Sequence, residues 1–177
     1  MAIDYFFDET IKKYKQEFNK ELFVDANLML LYLIGELDVN FIKNFSRTTR
    51  YSIGDYKNVK KIIEQDFSHN LMTTPNVLTE VNNLANKLNR DKKYQFIQLF
   101  SHMIGEMKEI YQASNDFTNT YELEEFGLID AIIIQMTKKY NLLLLTDDFK
   151  LSAYIGEYAL NIYHTYRPNN SNTLINS

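Results

Sequence analysis

The chain contains no cysteine. Disulfides and thiolate metal sites are therefore excluded, and the composition suits a reducing, cytoplasmic compartment. Glycine occurs five times and proline twice, so no stretch has linker composition except the polar tail PNNSNTLINS. No apolar run approaches the length of a membrane span. The opening MAIDYFFDETIKKYKQEF alternates apolar with charged residues and does not read as a signal peptide. A basic excess is missing as well. Net charge is −4, so no overall positive field advertises a nucleic-acid partner, although a metal ion or a local basic patch can supply that charge. Repeats and low-complexity blocks are absent. At 177 residues, with 45% apolar and 24% charged, the expectation is one compact soluble domain without a membrane segment.

What is present is an alternation of short apolar runs with helical periodicity. Residues 4–19 carry Tyr5, Phe6, Ile11, Tyr14 and Phe18 at amphipathic-helix spacing. The run LFV then predicts a strand at residues 22–24, followed by a helix over NLMLLYLIGEL. A helix is predicted over residues 57–67, a strand over LMTT at 71–74, and a helix over 76–88 with Pro75 at its first position. Further helices are predicted over 92–113, 128–140 and 149–158, with strands at LLLLT and at LNIYHTY. Such alternation implies an α/β fold whose parallel sheet of four to five strands is covered on both faces. Ligands of such sheets bind beyond the carboxyl ends of the strands.

Acidic residues gather at that predicted edge. Asp25 closes the first strand, Asp147 and Asp148 close the leucine strand, and Glu80 lies near the start of the helix after the second strand. Asp130 interrupts the apolar segment GLIDAIIIQM, where an ionised carboxylate is costly unless something pairs with it. Singly, Asp25, Asp147 and Asp148 read as helix caps and Glu80 as a solvated helix face. Together they are hard to obtain from capping alone. Two carboxylates about 4 Å apart repel by about 4 kcal/mol at an effective dielectric near 20, so a cluster of four needs protons or a cation. Thiols are absent, and His69, His102 and His164 show no paired spacing. All-oxygen ligation points to Mg²⁺ or Mn²⁺, and a metal-bound water suits hydrolysis of a phosphodiester.

The segments FVDANLMLLYL, TPNVLTEVNNL and GLIDAIIIQMTKKYNLLLLTDDFKL resemble the ordered acidic motifs of PIN-domain ribonucleases, over most of residues 21–165. The resemblance implies a Rossmann-like three-layer sandwich that binds Mg²⁺ or Mn²⁺ and cleaves single-stranded or structured RNA. It assigns the metal and catalytic roles to Asp25, Glu80, Asp130 and Asp148, with Asp147 as a possible substitute for Asp148 and with Asn27 and Thr146 as hydrogen-bonding supports. It divides the chain into a helical extension at residues 1–20, a nuclease domain at 21–167 and a polar tail at 168–177. It also implies the setting of a toxin paired with an antitoxin protein, and a homodimer. Ala26 stands where the family often has Thr or Ser, and both the N-terminal helix and the segment between Leu37 and Leu71 are additions relative to the small toxins.

Basic residues cluster as SRTTRY, YKNVKK and NRDKKY. Arg47, Arg50, Arg90, Lys92 and Lys93 are the candidates for phosphate contacts, with neighbouring tyrosines able to stack on unpaired bases. For any one cluster a solvated face is the simpler reading. Two other functions fit the same residues: a non-catalytic PIN-like module that binds RNA or protein without cutting, and a DNA nuclease.

Overall fold

The computed structural model describes residues 11–14, 16, 21–68 and 70–163. Among the described residues, five strands form a single parallel sheet in the order β3-β2-β1-β4-β5: β1 (Leu22–Val24), β2 (Leu71–Thr73), β3 (Lys108–Glu109), β4 (Leu143–Thr146) and β5 (Ala159–Asn161). The helices are α1 (Ala26–Leu37), α2 (Ile53–Lys61), α3 (Pro75–Leu84), α4 (Arg90–Glu106), α5 (Tyr121–Phe126), α6 (Leu128–Tyr140) and α7 (Phe149–Ile155). This is the α/β class expected, and its sheet is compatible with a Rossmann-like sandwich. No described helix is long and apolar enough to cross a membrane.

The inner position of β4 explains the leucine run. β4 lies between β1 and β5, and Leu143, Leu144 and Leu145 have no exposure at all. A strand covered on both faces gains nothing from polar alternation, so it reads as a continuous apolar stretch. Each such leucine contributes about 1.5–3 kcal/mol through burial. Helix α1 follows the same logic. Leu28, Met29, Leu30, Leu31, Leu33 and Ile34 are all buried, and α1 packs against α2, α3 and α4. Lys60 ties α2 back to α1 by pairing with Glu36 at 2.5 Å, and it also pairs with Glu64 one turn on at 3.0 Å.

Several boundaries differ from the sequence expectation. Helix α2 begins at Ile53, four residues before the predicted start, because Ser52 and Asp55 form a reciprocal capping box. It passes at residue 62 into a π-helical turn that ends at Asp66, where Phe67 N–H bonds Ile62 O at 2.9 Å. Helix α4 stops at Glu106, and the predicted helical stretch 107–113 instead contains β3, an exposed edge strand of two residues. Glu80 is the sixth residue of α3, so it sits mid-helix and not near its start. The strand predicted at 160–166 runs from Ala159 to Asn161. Of the N-terminal helix, residues 11–14 and 16 are helical and Ile11 is buried. The rest of that extension, His69, His164 and the tail lie outside the described residues.

Candidate functional site

The strand order reverses direction between β1 and β4. From β1 the chain steps outward to β2 and β3, then returns to the other side of β1 for β4 and β5. In open α/β sheets the crevice beyond the carboxyl ends of two such strands is the usual place for a ligand. Here Val24 pairs with Leu145, and Asp25 N–H bonds Leu145 O at 3.0 Å. Asp25 and the Thr146–Asp147–Asp148 turn therefore emerge side by side.

Asp25 is buried, at 7% exposure, and both its oxygens are engaged. Oδ1 accepts from Leu28 N–H at 2.9 Å, which caps α1, while Oδ2 accepts from Asp147 N–H at 3.2 Å. The Thr146 hydroxyl also bonds the carboxyl. Burial, and then the charge of Asp147, push Asp25 up to about 7, and the three hydrogen bonds pull only partly the other way.

Asp147 is clamped from the opposite direction. Its Oδ2 accepts the Tyr51 hydroxyl at 2.8 Å and the Arg50 guanidinium at 2.8 Å, and Arg50 Nη2 also donates to Tyr51 Oη at 2.6 Å. Tyr51 is fully buried and its phenol is pushed well up, first by burial and then by Asp147 and Asp25, so it remains a donor. Asp148 is differently placed. It is exposed, caps α7 through Oδ1 with Leu151 N–H at 2.8 Å, and donates its own N–H to Thr146 Oγ1 at 3.0 Å. Buried Asn161 holds this turn from β5, its amide donating to Asp148 O at 3.2 Å and to Ser152 Oγ at 3.0 Å. Tyr51 and Asn161 were not among the predicted supports. The signals available were SRTTRY, read for phosphate contacts and base stacking, and a lone polar residue within the apolar run ALNIY.

A second group of carboxylates lies alongside. Asp130 is the third residue of α6 and half-buried; burial, then Asp148 and Glu80, push it up to about 6. Glu80 is half-buried and is pushed up by burial. The carboxylates of Asp130 and Glu80 make no ion pair or hydrogen bond, and that of Asp148 none with a cation, among the described residues. The predicted acids thus fall into two sets, Asp25 with Asp147 and Asp130 with Asp148 and Glu80, joined by the adjacency of Asp147 and Asp148. In donor type and uncompensated charge the second set suits a hard cation. Among the described residues, however, no three His, Asp or Glu side chains converge closely enough to hold a metal ion.

The other candidates are distributed as follows. Asn27 is half-buried and its side chain makes no hydrogen bond among the described residues. Ala26 is buried in the first turn of α1. Arg47 and Arg90 are exposed. Lys92 pairs with Asp38 at 3.5 Å and lies 5.1 Å over the Phe41 ring, and Lys93 bonds Asn86 at 2.5 Å. His102 lies 3.5 Å from Glu106 on α4. A groove of about 570 Å³ opens between α3 and the first turn of α6, lined by Asn76, Thr79, Glu80, Asn83, Leu128 and Ile129. A smaller cavity of about 260 Å³, walled by Tyr32, Glu36, Leu99 and His102 among others, includes none of the candidate carboxylates. No protein-family model, no curated protein and no solved structure matches the chain.

Proposed function

We propose that the chain is a metal-dependent phosphodiester hydrolase, specifically an endoribonuclease of PIN-like type. The observation that carries this reading is the trio Asp130, Asp148 and Glu80 at the mouth of the β1/β4 crevice, where burial and then the charges of Asp148 and Glu80 push Asp130 up, with no cation paired to the three carboxylates among the described residues. A perturbed carboxylate in the crevice at a strand-order reversal is a functional-site candidate on physical grounds. Asp130, Asp148 and Glu80 would hold a Mg²⁺ or Mn²⁺ ion together with Asp25. When bound, such an ion supplies charge neutralisation at a phosphate and a more acidic water.

The residues around it have distinct tasks. Thr146 holds the Asp148 backbone N–H and the Asp25 carboxyl. Arg50 and Tyr51 retain Asp147 away from the trio, which leaves Asp148 as the ligand of the adjacent pair. Asp25 fixes the turn to the start of α1. The biological setting suggested by the motif resemblance is a toxin restrained by a protein antitoxin.

The direct test is incubation of purified protein with labelled single-stranded RNA and 1:1 DNA counterparts in Mn²⁺, beside Asp130→Asn. Loss of a carboxylate ligand is expected to lower cleavage at least 100-fold, on the order of what removal of a transition-state electrostatic contact costs. Equal cutting by both proteins, or none with any divalent ion, rules the reading out. Cleavage of DNA alone selects the DNA-nuclease alternative.

A further inference from the structure

The groove between α3 and α6 carries chemistry that the hydrolytic reading leaves unused. Asn76, Thr79, Glu80 and Asn83 are spaced i, i+3, i+4, i+7, so they form one stripe along α3. Neither amide serves the fold. The side chains of Asn76 and Asn83 make no hydrogen bond, cap no helix and pair with no charge among the described residues. Thr79, exposed, donates its hydroxyl to Pro75 O at 2.7 Å, so the oxygen keeps its acceptor capacity. Opposite this stripe stand Leu128, 37% exposed, and Ile129, the first two residues of α6. The residue after them is Asp130, and the stripe itself contains Glu80, so the groove includes one member of the carboxylate trio and ends one residue short of a second.

We infer that this groove is a base-selective subsite, in which Asn76 and Asn83 read the edge of one unpaired nucleobase lying against Leu128 and Ile129. A carboxamide offers a donor and an acceptor side by side, the complement of the edge of a base. An apolar wall gives that base a surface to stack on, and unpaired bases are recognised by this combination. The volume of about 570 Å³ lies within the range of small-ligand sites. Charge also argues for a base here and not a phosphate, because Glu80 would repel an anion while a neutral ring escapes that penalty. The assignment rests on the phosphodiesterase reading, since it is the neighbouring trio that makes a nucleotide the expected occupant.

The test uses the full chain and fluorescein-labelled tetranucleotides rA₄, rC₄ and rU₄ with their deoxy counterparts, followed by anisotropy in EDTA so that nothing is cut. At least a fivefold spread in affinity among the bases is expected for the native protein, falling below twofold in N76A/N83A. Leu128→Trp, which fills the groove, is expected to weaken every oligonucleotide at least fivefold. Thermal melting checks that both variants are folded. The ribose and deoxyribose arms assign the substrate class, the tighter series being the substrate. A native protein that binds none of the probes, or treats all bases alike, overturns the subsite, as does a spread retained by N76A/N83A. A parallel Mn²⁺ cleavage assay separates the two claims. Base discrimination without cleavage keeps the subsite and removes the hydrolase, whereas cleavage without discrimination does the reverse.

Discussion

Asp25 carries a cap, a turn and a buried negative charge in one side chain, and its titration exposes the conflict between them. Its carboxyl sits at about 7 in the folded chain against 3.8 for the free side chain. Between those values the folded state keeps a proton that the unfolded state has released. Stability therefore falls as pH rises through that window and levels off above it, by up to about 1.4 kcal/mol per pH unit for one proton. Asp130, raised to about 6, pulls in the same direction. Thermal melting between pH 5 and 8 is expected to show Asp25→Asn with a flatter decline than the native protein. Asn caps a helix as well as Asp does, so Asp25→Ala should flatten the decline equally but lie about 1–2 kcal/mol lower at pH 5 through the lost cap. A native pH slope retained in both variants would show that the proton is held elsewhere. At this scale the carboxylates were legible because charge amid apolar sequence has few explanations. The clamp on Asp147 was not, because Tyr51 lies 96 positions away in the chain and only packing brings it there.

Among the elements, α1 shows how a local preference yields to packing. Gly35 stands in its last turns, where alanine would favour the helix by about 1 kcal/mol. Yet a Cβ at Gly35 would run into the Tyr56 ring of α2. Gly35→Ala is therefore expected to destabilise by about 1–3 kcal/mol net, read by urea unfolding. Tyr56→Leu in the same chain should recover part of that loss, because the two positions share one contact. Stabilisation by Gly35→Ala alone would mean that the helices are packed less closely. The same contrast governs which elements could be read in advance. β4 was plain from four consecutive leucines. β3 was not, since Lys108 and Glu109 are exposed and a two-residue edge strand has no period to detect. The start of α2 was encoded in SIGD, whose capping box is local, but no apolar periodicity draws attention to it.

For the molecule as a whole, the parallel order around β1 decides what the acids can do. Asp25 and Asp147 are 122 positions apart, and strand pairing makes them hydrogen-bonded neighbours. A cation that binds only the folded chain raises its melting temperature. At 100 times its dissociation constant that amounts to about 2.7 kcal/mol, on the order of 5–10 °C for a domain of this size. Mn²⁺ is expected to produce such a shift in the native protein and none in D130N/D148N, as measured by scanning calorimetry. An unchanged shift in that variant would place the cation elsewhere on a surface of net charge −4. Composition and periodicity alone determined the α/β class, the buried strands and the acids at their ends, because burial and charge act through neighbouring residues. Which carboxylates share a charge field, which is held by Arg50 and Tyr51, and that a groove of unused amides lies beside them were decided only by the tertiary structure. Those relations depend on side chains that strand order and helix packing bring together across long stretches of chain, and one-dimensional spacing holds no record of them.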